Sequence, residues 1–267
     1  MTLSTKAIRI SENGGPEKMV WEDIDIPSPP SKSITIKHTF VGLNYIDTYH
    51  RSGLYPLPLP SGLGMEASGI VTSTGEEVST VKIGDRVAYV MAIGSYSSAR
   101  NIEEDKVVKI PPNLGDEEAS AIMLKGMTVE YLVERLFKVN SSHTVLFHAV
   151  AGGVGLIACQ WLKNIGARVI GTAGSEEKAD LAKKYGCDEV ILYKNNDFVT
   201  KVKELTNNGV QAALPTPPNG KYQFHIISET EPVLQIINNF YFGEQTLGKL
   251  DDAEVIKKHH WNKKSVT

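Results

Sequence analysis

Thr144-Val145-Leu146-Phe147-His148-Ala149-Val150-Ala151-Gly152-Gly153-Val154-Gly155 joins a short apolar run to a glycine-rich turn. Directly after it, Val154, Ile157, Ala158, Trp161, Leu162 and Ile165 recur at helical spacing, and Gly166 stands where a left-handed C-terminal cap is expected. Strand, glycine turn and amphipathic helix in that order form the context in which a turn can hold a pyrophosphate. Glycine lets the backbone approach the phosphate, and the helix N-terminus offers free amides at the positive end of its dipole. Against the pattern G-x-G-x-x-G, Gly152 and Gly155 take the second and third glycine positions, while Val150 stands in the first. Alone, such a cluster more often marks a turn than a cofactor site, so its surroundings decide.

The segments that follow repeat the same alternation. Arg168-Val169-Ile170-Gly171-Thr172 reads as a second strand. Ser175 can cap the next helix, with Glu176 and Glu177 well placed against its dipole, and that helix ends at Gly186. Glu189-Val190-Ile191-Leu192 gives a third strand, and Phe198, Val202 and Leu205 a further amphipathic helix that stops at Asn207-Asn208-Gly209. Strand–helix units in register predict a parallel sheet, and behind such a sheet the glycine turn reads as a nucleotide site. An NAD site places an acid on the second strand, roughly 20 residues past the glycines, for the ribose 2′-hydroxyl. Arg168 to Gly174 contains none, and Ser175 and Lys178 follow. A hydroxyl and an ammonium suit a 2′-phosphate, which favours NADP, although the same two residues also read as an N-cap and a solvated lysine.

Upstream the texture differs. From Met1 to about Leu124, short β-like runs are broken by Gly and Pro. Ser33-Ile34-Thr35-Ile36-Lys37 alternates at period 2, as a half-buried strand does, and Gly69-Ile70-Val71 and Arg86-Val87-Ala88-Tyr89-Val90 read alike. Pro27-Ser28-Pro29-Pro30 and Pro56-Leu57-Pro58-Leu59-Pro60 lack the amide donors of a central strand. This zone predicts an irregular antiparallel barrel. Downstream, Val210-Gln211-Ala212-Ala213-Leu214 begins as a fourth strand should, but Pro215, Pro217 and Pro218 cut it short. Tyr222–Ser228 and Val233–Phe242 could supply one strand and one helix, and Lys257 to Lys264 reads as a frayed polar end. No internal repeat is present.

Composition excludes several classes. The chain of 267 residues is 41% hydrophobic and 22% charged, which suits a sizeable core and excludes wholesale disorder. A net charge of −3 without a basic stripe argues against a dedicated nucleic-acid or anionic-membrane binder. No apolar run approaches the roughly 18 residues that span a bilayer, and Met1 to Ile10 has neither part of a signal peptide. Two cysteines, Cys159 and Cys187, cannot build a disulfide framework or a multi-cysteine zinc site. These features predict a cytoplasmic enzyme.

A set of ordered motifs then becomes informative. Asn44-Tyr45-Ile46-Asp47-Thr48-Tyr49, Arg51-Ser52-Gly53-Leu54-Tyr55-Pro56, Leu63-Gly64-Met65-Glu66-Ala67-Ser68-Gly69, Gly84-Asp85-Arg86-Val87, Leu124-Lys125-Gly126-Met127-Thr128 and the Leu146–Trp161 stretch occur in that sequence. Over about residues 8 to 211 the chain closely resembles the quinone oxidoreductases (ζ-crystallin-like) of the medium-chain dehydrogenase/reductase superfamily, which contain an enoyl reductase domain. The resemblance implies an α/β fold: a GroES-like irregular β-barrel catalytic domain over residues 1–124 and a Rossmann doubly wound parallel sheet over 125–211. It implies NADPH held in a cleft and hydride transfer to a quinone or a related enone.

Carried over by position, Asn44, Asp47 and Tyr49 are the catalytic candidates, and Tyr45, Ile46 and Thr48 lie with them near the nicotinamide end. Thr128 and Tyr131 fall nearby. Gly152, Gly153 and Val154 hold the pyrophosphate, and Gly174, Ser175, Lys178 and Tyr193 the 2′-phosphate end. Zinc-dependent members carry a Cys where this chain has Asn44 and a His where it has Met65, so the resemblance implies no metal, and Asn44, Tyr49 or water polarises the substrate carbonyl.

Plainer readings stand beside these. Asn44 and Asp47 serve equally well to tie down a loop, Tyr49 to fill a barrel core, and His148 to sit satisfied in a buried strand. Cys159 reads as inert packing and Cys187 as more exposed. His259 and His260 belong to the polar tail. Residues 212–267 depart from the family, so only the first half of the doubly wound sheet is expected, the Rossmann fold is incomplete, and the edge by which relatives form a homodimer is weakened. The second functional reading is therefore a truncated, non-catalytic relative with weak nucleotide binding. RNA binding, a third, gains nothing from the charge.

Overall fold

The computed structural model describes residues 2–206, 209–214, 234–235 and 248–249. They fall into two compact units, one built on the chain up to Leu124 and joined by Gly248–Lys249, the other starting at Lys125.

The first unit is antiparallel throughout. Its strands are β1 (Thr2–Ile10), β2 (Val20–Pro27), β3 (Ser33–Gly42), β4 (Ser61–Gly62), β5 (Glu66–Thr74), β6 (Arg86–Val90), β7 (Ala99–Glu103) and β8 (Val107–Lys109). Helix α1 (Tyr45–Ser52) follows β3, and α2 (Asp116–Glu130) starts in this unit. One sheet runs β2-β1-β4, and a second runs β3-β5-β6-β8 with β7 also paired to β3. Ile8, Ile10, Ile34, Ile36, Val41, Leu63, Val71, Val87, Tyr89 and Tyr96 form one buried cluster.

Period-2 alternation in β3 predicts one wet face, and the structure differs. Ser33 and Thr35 are as buried as Ile34 and Ile36, because β5 and β7 both pair with this strand. Thr35 stays satisfied by donating to Asn101 Oδ1 at 2.7 Å.

The second unit contains β9 (Thr144–Phe147), α3 (Gly153–Ile165), β10 (Arg168–Ala173), α4 (Glu176–Lys184), β11 (Glu189–Leu192), α5 (Phe198–Thr206), β12 (Ala212–Leu214) and β13 (Leu234–Gln235). Its strands are all parallel, in the order β11-β10-β9-β12-β13. Strands β9, β10 and β11 follow the sequence reading closely. Gly166 caps α3 in the left-handed conformation, and Ser175 Oγ accepts from Lys178 N at the start of α4.

Two short strands follow on the far side of β9. Strand β12 lies on the opposite side of β9 from β10, so the direction of winding reverses between β9 and β12. Three residues suffice to pair Ala212–Leu214 with Val145–Phe147. Leu234–Gln235 is strand, not the helix suggested over 233–242, and it pairs with β12. The rest of that stretch, Tyr222–Ser228 and the His259-His260 tail lie outside the described residues. A last strand, β14 (Gly248–Lys249), pairs with Phe40–Val41 of β3.

The crossing point between β9 and β12 matters because ligands of open α/β sheets bind beyond the carboxyl ends of the strands where the winding reverses. That end of β9 carries the glycine turn.

Candidate functional site

The turn after β9 is built by its neighbours on β10. Val150 N donates to Thr172 O at 3.0 Å, Ala149 N to Thr172 Oγ1 at 3.3 Å, and Gly152 N to Ala149 O at 2.8 Å. Ala149 takes φ of 50°, a left-handed conformation in a residue with a Cβ. Gly152 is the N-cap of α3 and supplies no side-chain cap, so the first amides of α3 remain for a ligand. At Gly155 a Cβ would lie 2.4 Å from Val150 O, which is why a glycine must stand there. Val150, in the first glycine position of the pattern, is fully buried and packs onto Gly171, where a Cβ would meet its Cγ1 at 2.4 Å.

A second cluster closes the end of β10. Gly174 lies under Tyr193, whose hydroxyl would be 2.7 Å from a Cβ on that glycine, and Tyr193 N donates to Ala173 O at 3.2 Å. Ser175 and Lys178 are exposed in the first turn of α4. Gly174, Ser175, Lys178 and Tyr193 thus gather at the carboxyl end of β10, one strand away from the turn that holds Gly152, Gly153 and Val154. His148 bridges the region: its Nδ1 is 3.2 Å from Thr172 Oγ1 and its ring stands edge-on to Phe198. Burial lowers its pKa to about 4, so it is neutral at pH 7.

Cys159 and Cys187 are both buried, and the expectation of an exposed Cys187 is corrected. Its thiol is turned inward to Glu189 O at 3.1 Å. Contact with that thiol, and then burial, push the Cys159 pKa up, which leaves Cys159 inert.

In the first unit the candidates group around the start of α1. Asn44 is the N-cap and forms a capping box with Asp47: its side chain accepts from the Asp47 amide, and Asp47 Oδ2 accepts from Asn44 N at 2.9 Å. Asn44 Nδ2 donates to Glu66 Oε2 at 2.8 Å, and Leu124 N donates to Glu66 Oε1 at 2.9 Å. Tyr96 donates to Asp47 Oδ2 at 2.6 Å. Burial, then the Asp47 charge, hold the Tyr96 pKa well above its ordinary value. Asp47 and Glu66 have no exposed surface. Two carboxylates, one amide and one phenol thus form a buried lattice that fixes α1 to β5 and to the residues around Tyr96.

Thr48 Oγ1 donates back to Tyr45 O at 2.6 Å, and Ile46 is buried. Tyr49 is half-buried, its ring 5.2 Å from those of both Tyr45 and Tyr55. Thr128 on α2 is half-buried and Tyr131, in the π-helical segment Tyr131–Leu136, is exposed. Sequence reasoning did not single out Thr172 or Tyr96. Asn44-x-x-Asp47 before an amphipathic helix is the one local signal that announces the capping box, whereas Thr172 and Tyr96 meet their partners only through tertiary packing.

Zinc does not fit this site. The donors that would face it are Asn44, whose amide nitrogen donates to Glu66, the thioether of Met65, and Glu66, both of whose oxygens accept N–H groups.

The alcohol dehydrogenase GroES-like domain model matches residues 30–134, and the zinc-binding dehydrogenase model matches 153–223. The quinone oxidoreductase of Pseudomonas aeruginosa is 45% identical over 204 residues, 76% of this chain and 63% of that protein. Quinone oxidoreductase 1 of Escherichia coli is 47% identical over 201 residues, 74% of this chain and 62% of that protein. The crystal structure of Escherichia coli quinone oxidoreductase complexed with NADPH superimposes with a TM-score of 0.76 at 45% identity, covering 78% of this chain and 65% of that one. The chain thus spans a little under two thirds of the length of these relatives. With a GroES-like and a dehydrogenase model met in order, and 45–47% identity over about three quarters of its length, the chain is over that stretch a homologue of the quinone oxidoreductases.

Proposed function

We propose that the chain binds NADPH and serves the reduction of a quinone or a related electron-poor enone. The observation that carries this reading is the uncapped start of α3 at Gly152, with Ser175 and Lys178 at the start of α4 one strand away. The amides of Gly153 and Val154 suit a pyrophosphate. Ser175 and Lys178 suit a 2′-phosphate, with Tyr193 over Gly174 as a wall for the adenosine. The NADPH bound by the Escherichia coli relative supports the choice of cofactor.

When bound, NADPH supplies a hydride. The chain's own part is orientation and polarisation. Asn44 and Asp47 are spent on the capping box and on Glu66 and Tyr96, so in this reading they position α1 instead of touching substrate. Tyr49 keeps part of its surface exposed and is the donor we assign to the substrate carbonyl, with Tyr45 and Tyr55 as an aromatic ledge beside it. Tyr45, Ile46, Thr48, Thr128 and Tyr131 shape the nicotinamide end; Ile46 does so from the core, by holding α1. A cytoplasmic setting, in which reduced dinucleotide is available, and a homodimer complete the proposal, with no role for nucleic acid.

The test is quinone-dependent consumption of NADPH by the purified chain. Turnover abolished in Lys178→Glu and slowed in Tyr49→Phe supports the reading. Nucleotide binding without turnover on any quinone or enone leaves the chain a binding relative and refutes the catalytic half.

A further inference from the structure

The phosphate turn departs from an all-glycine design in a way that has a cost. Ala149 holds φ of 50° although it carries a Cβ, a left-handed conformation in which that Cβ crowds the following carbonyl oxygen. The residue that holds it there is neither in the turn nor next to it in sequence. Thr172, on β10 and nearly fully buried, accepts the Ala149 amide at its Oγ1 and the Val150 amide at its carbonyl oxygen, at 3.3 and 3.0 Å. The same hydroxyl lies 3.2 Å from His148 Nδ1.

Thr172 Oγ1 accepts from Ala149 N, and with its second lone pair and its own proton it can also bond His148 Nδ1 in either tautomer of the imidazole. Phe198 stands edge-on to the imidazole and fixes its plane. A β-branched residue on a strand has a restricted χ1, so the hydroxyl is aimed before any ligand arrives. Removing it strands a turn amide and an imidazole nitrogen in partly buried surroundings.

We propose that Thr172 is a positioning residue for dinucleotide binding: it buckles the turn so that Ala149 stays left-handed and the amides of Gly153 and Val154 face the pyrophosphate. This rests on the reading of that turn as the NADPH site. The proposal assigns a role to the threonine that the glycine pattern does not contain.

The experiment compares Thr172→Val, Thr172→Ser and Thr172→Val with Ala149→Gly in the full-length chain. Each is titrated with NADPH and with adenosine 2′-monophosphate, which lacks the pyrophosphate, and each is followed in thermal unfolding without ligand. Thr172→Val should bind NADPH about tenfold more weakly, from loss of the aimed hydrogen bond. Its affinity for adenosine 2′-monophosphate should stay within about twofold of the parent chain. Thr172→Ser keeps the oxygen and should stay within about threefold of the parent for NADPH. Ala149→Gly should restore most of the NADPH affinity in the Thr172→Val background, because glycine takes positive φ without strain. Equal weakening of both ligands, or no rescue by Ala149→Gly, overturns the proposal and leaves a general packing role. If Thr172→Val does not fold, Thr172→Ser decides: a tenfold loss there also overturns it. A parent chain that binds NADPH while Thr172→Val keeps its affinity overturns this proposal alone, whereas a parent chain that does not bind NADPH overturns the nucleotide reading on which it rests.

Discussion

Gly155 approaches Val150 so closely that a Cβ on the glycine would lie 2.4 Å from the valine carbonyl oxygen. The contact seats the first turn of α3 directly against the strand-to-helix turn. It ties a packing requirement to a binding one, since the same backbone presents the α3 amides.

Gly155→Ala therefore forces the helix away from the turn. Overpacking of this kind costs about 1–3 kcal/mol. The expected result is a lower unfolding midpoint together with at least tenfold weaker NADPH binding, read by thermal unfolding and by titration. Parent-like behaviour in both would mean that the close approach is incidental.

Lys178 and Ser175 carry the choice between the two nicotinamide cofactors. A charge-assisted hydrogen bond to a phosphate contributes roughly 1.5–3 kcal/mol. Lys178→Ala should weaken NADPH binding about tenfold and leave NADH binding unchanged. Equal loss for both cofactors would show that Lys178 does not read the 2′-phosphate.

Asp47 holds three things at once: the Asn44 amide, the Tyr96 hydroxyl and, through Asn44, the line to Glu66. Asp47→Ala strands a buried amide and a buried phenol, at a cost of about 1–3 kcal/mol for each group. Urea unfolding should show a loss of several kcal/mol, on the order of the sum. A loss under about 0.5 kcal/mol would contradict the lattice, because that is the range of surface substitutions away from such features.

Buried histidines give the fold an acid limit. His38 lies between Ser97 O and Tyr89 OH at 2.7 and 2.9 Å, and burial lowers its pKa from 6.5 to about 4. His148 is lowered to about 4 for the same reason. In both, the unfolded chain gains a proton below pH 6.5 that the folded chain refuses until about pH 4, so stability is full above 6.5 and falls between the two values. Two such groups give a slope approaching about 2.7 kcal/mol per pH unit. Urea unfolding at intervals from pH 7.5 to 4.5 checks this, and a flat profile down to pH 5 would contradict it.

What the sequence made legible was local. Apolar spacing in Val154–Ile165 and caps at Gly166 and Ser175 disclose the alternating strands and helices of the second unit, and the structure places them there. What escaped was settled by distant partners. Val210 to Leu214 looks truncated by Pro215, yet its short strand finds β9 some 67 residues upstream, as in the bond from Thr144 N to Gln211 Oε1. Ser33 and Thr35 look solvent-facing by alternation, and only the pairing of β7 and β5 with β3 buries them. Cys187 follows a turn glycine, which suggests exposure, but its thiol is drawn in by Glu189 O. In the candidate site, the glycines and Ser175–Lys178 were readable as a pattern. Thr172 and Tyr96 were not, because nothing near them in the sequence marks their partners.

The central claim is that the second unit carries an NADPH site selective for the 2′-phosphate. Thermal unfolding of the purified full chain, alone and with saturating NADPH or NADH, tests it most directly. A ligand present at about 100 times its dissociation constant adds roughly 2.7 kcal/mol to the native state. The expected result is a clear rise in the midpoint with NADPH and little or none with NADH. A cooperative transition that neither nucleotide shifts would contradict it.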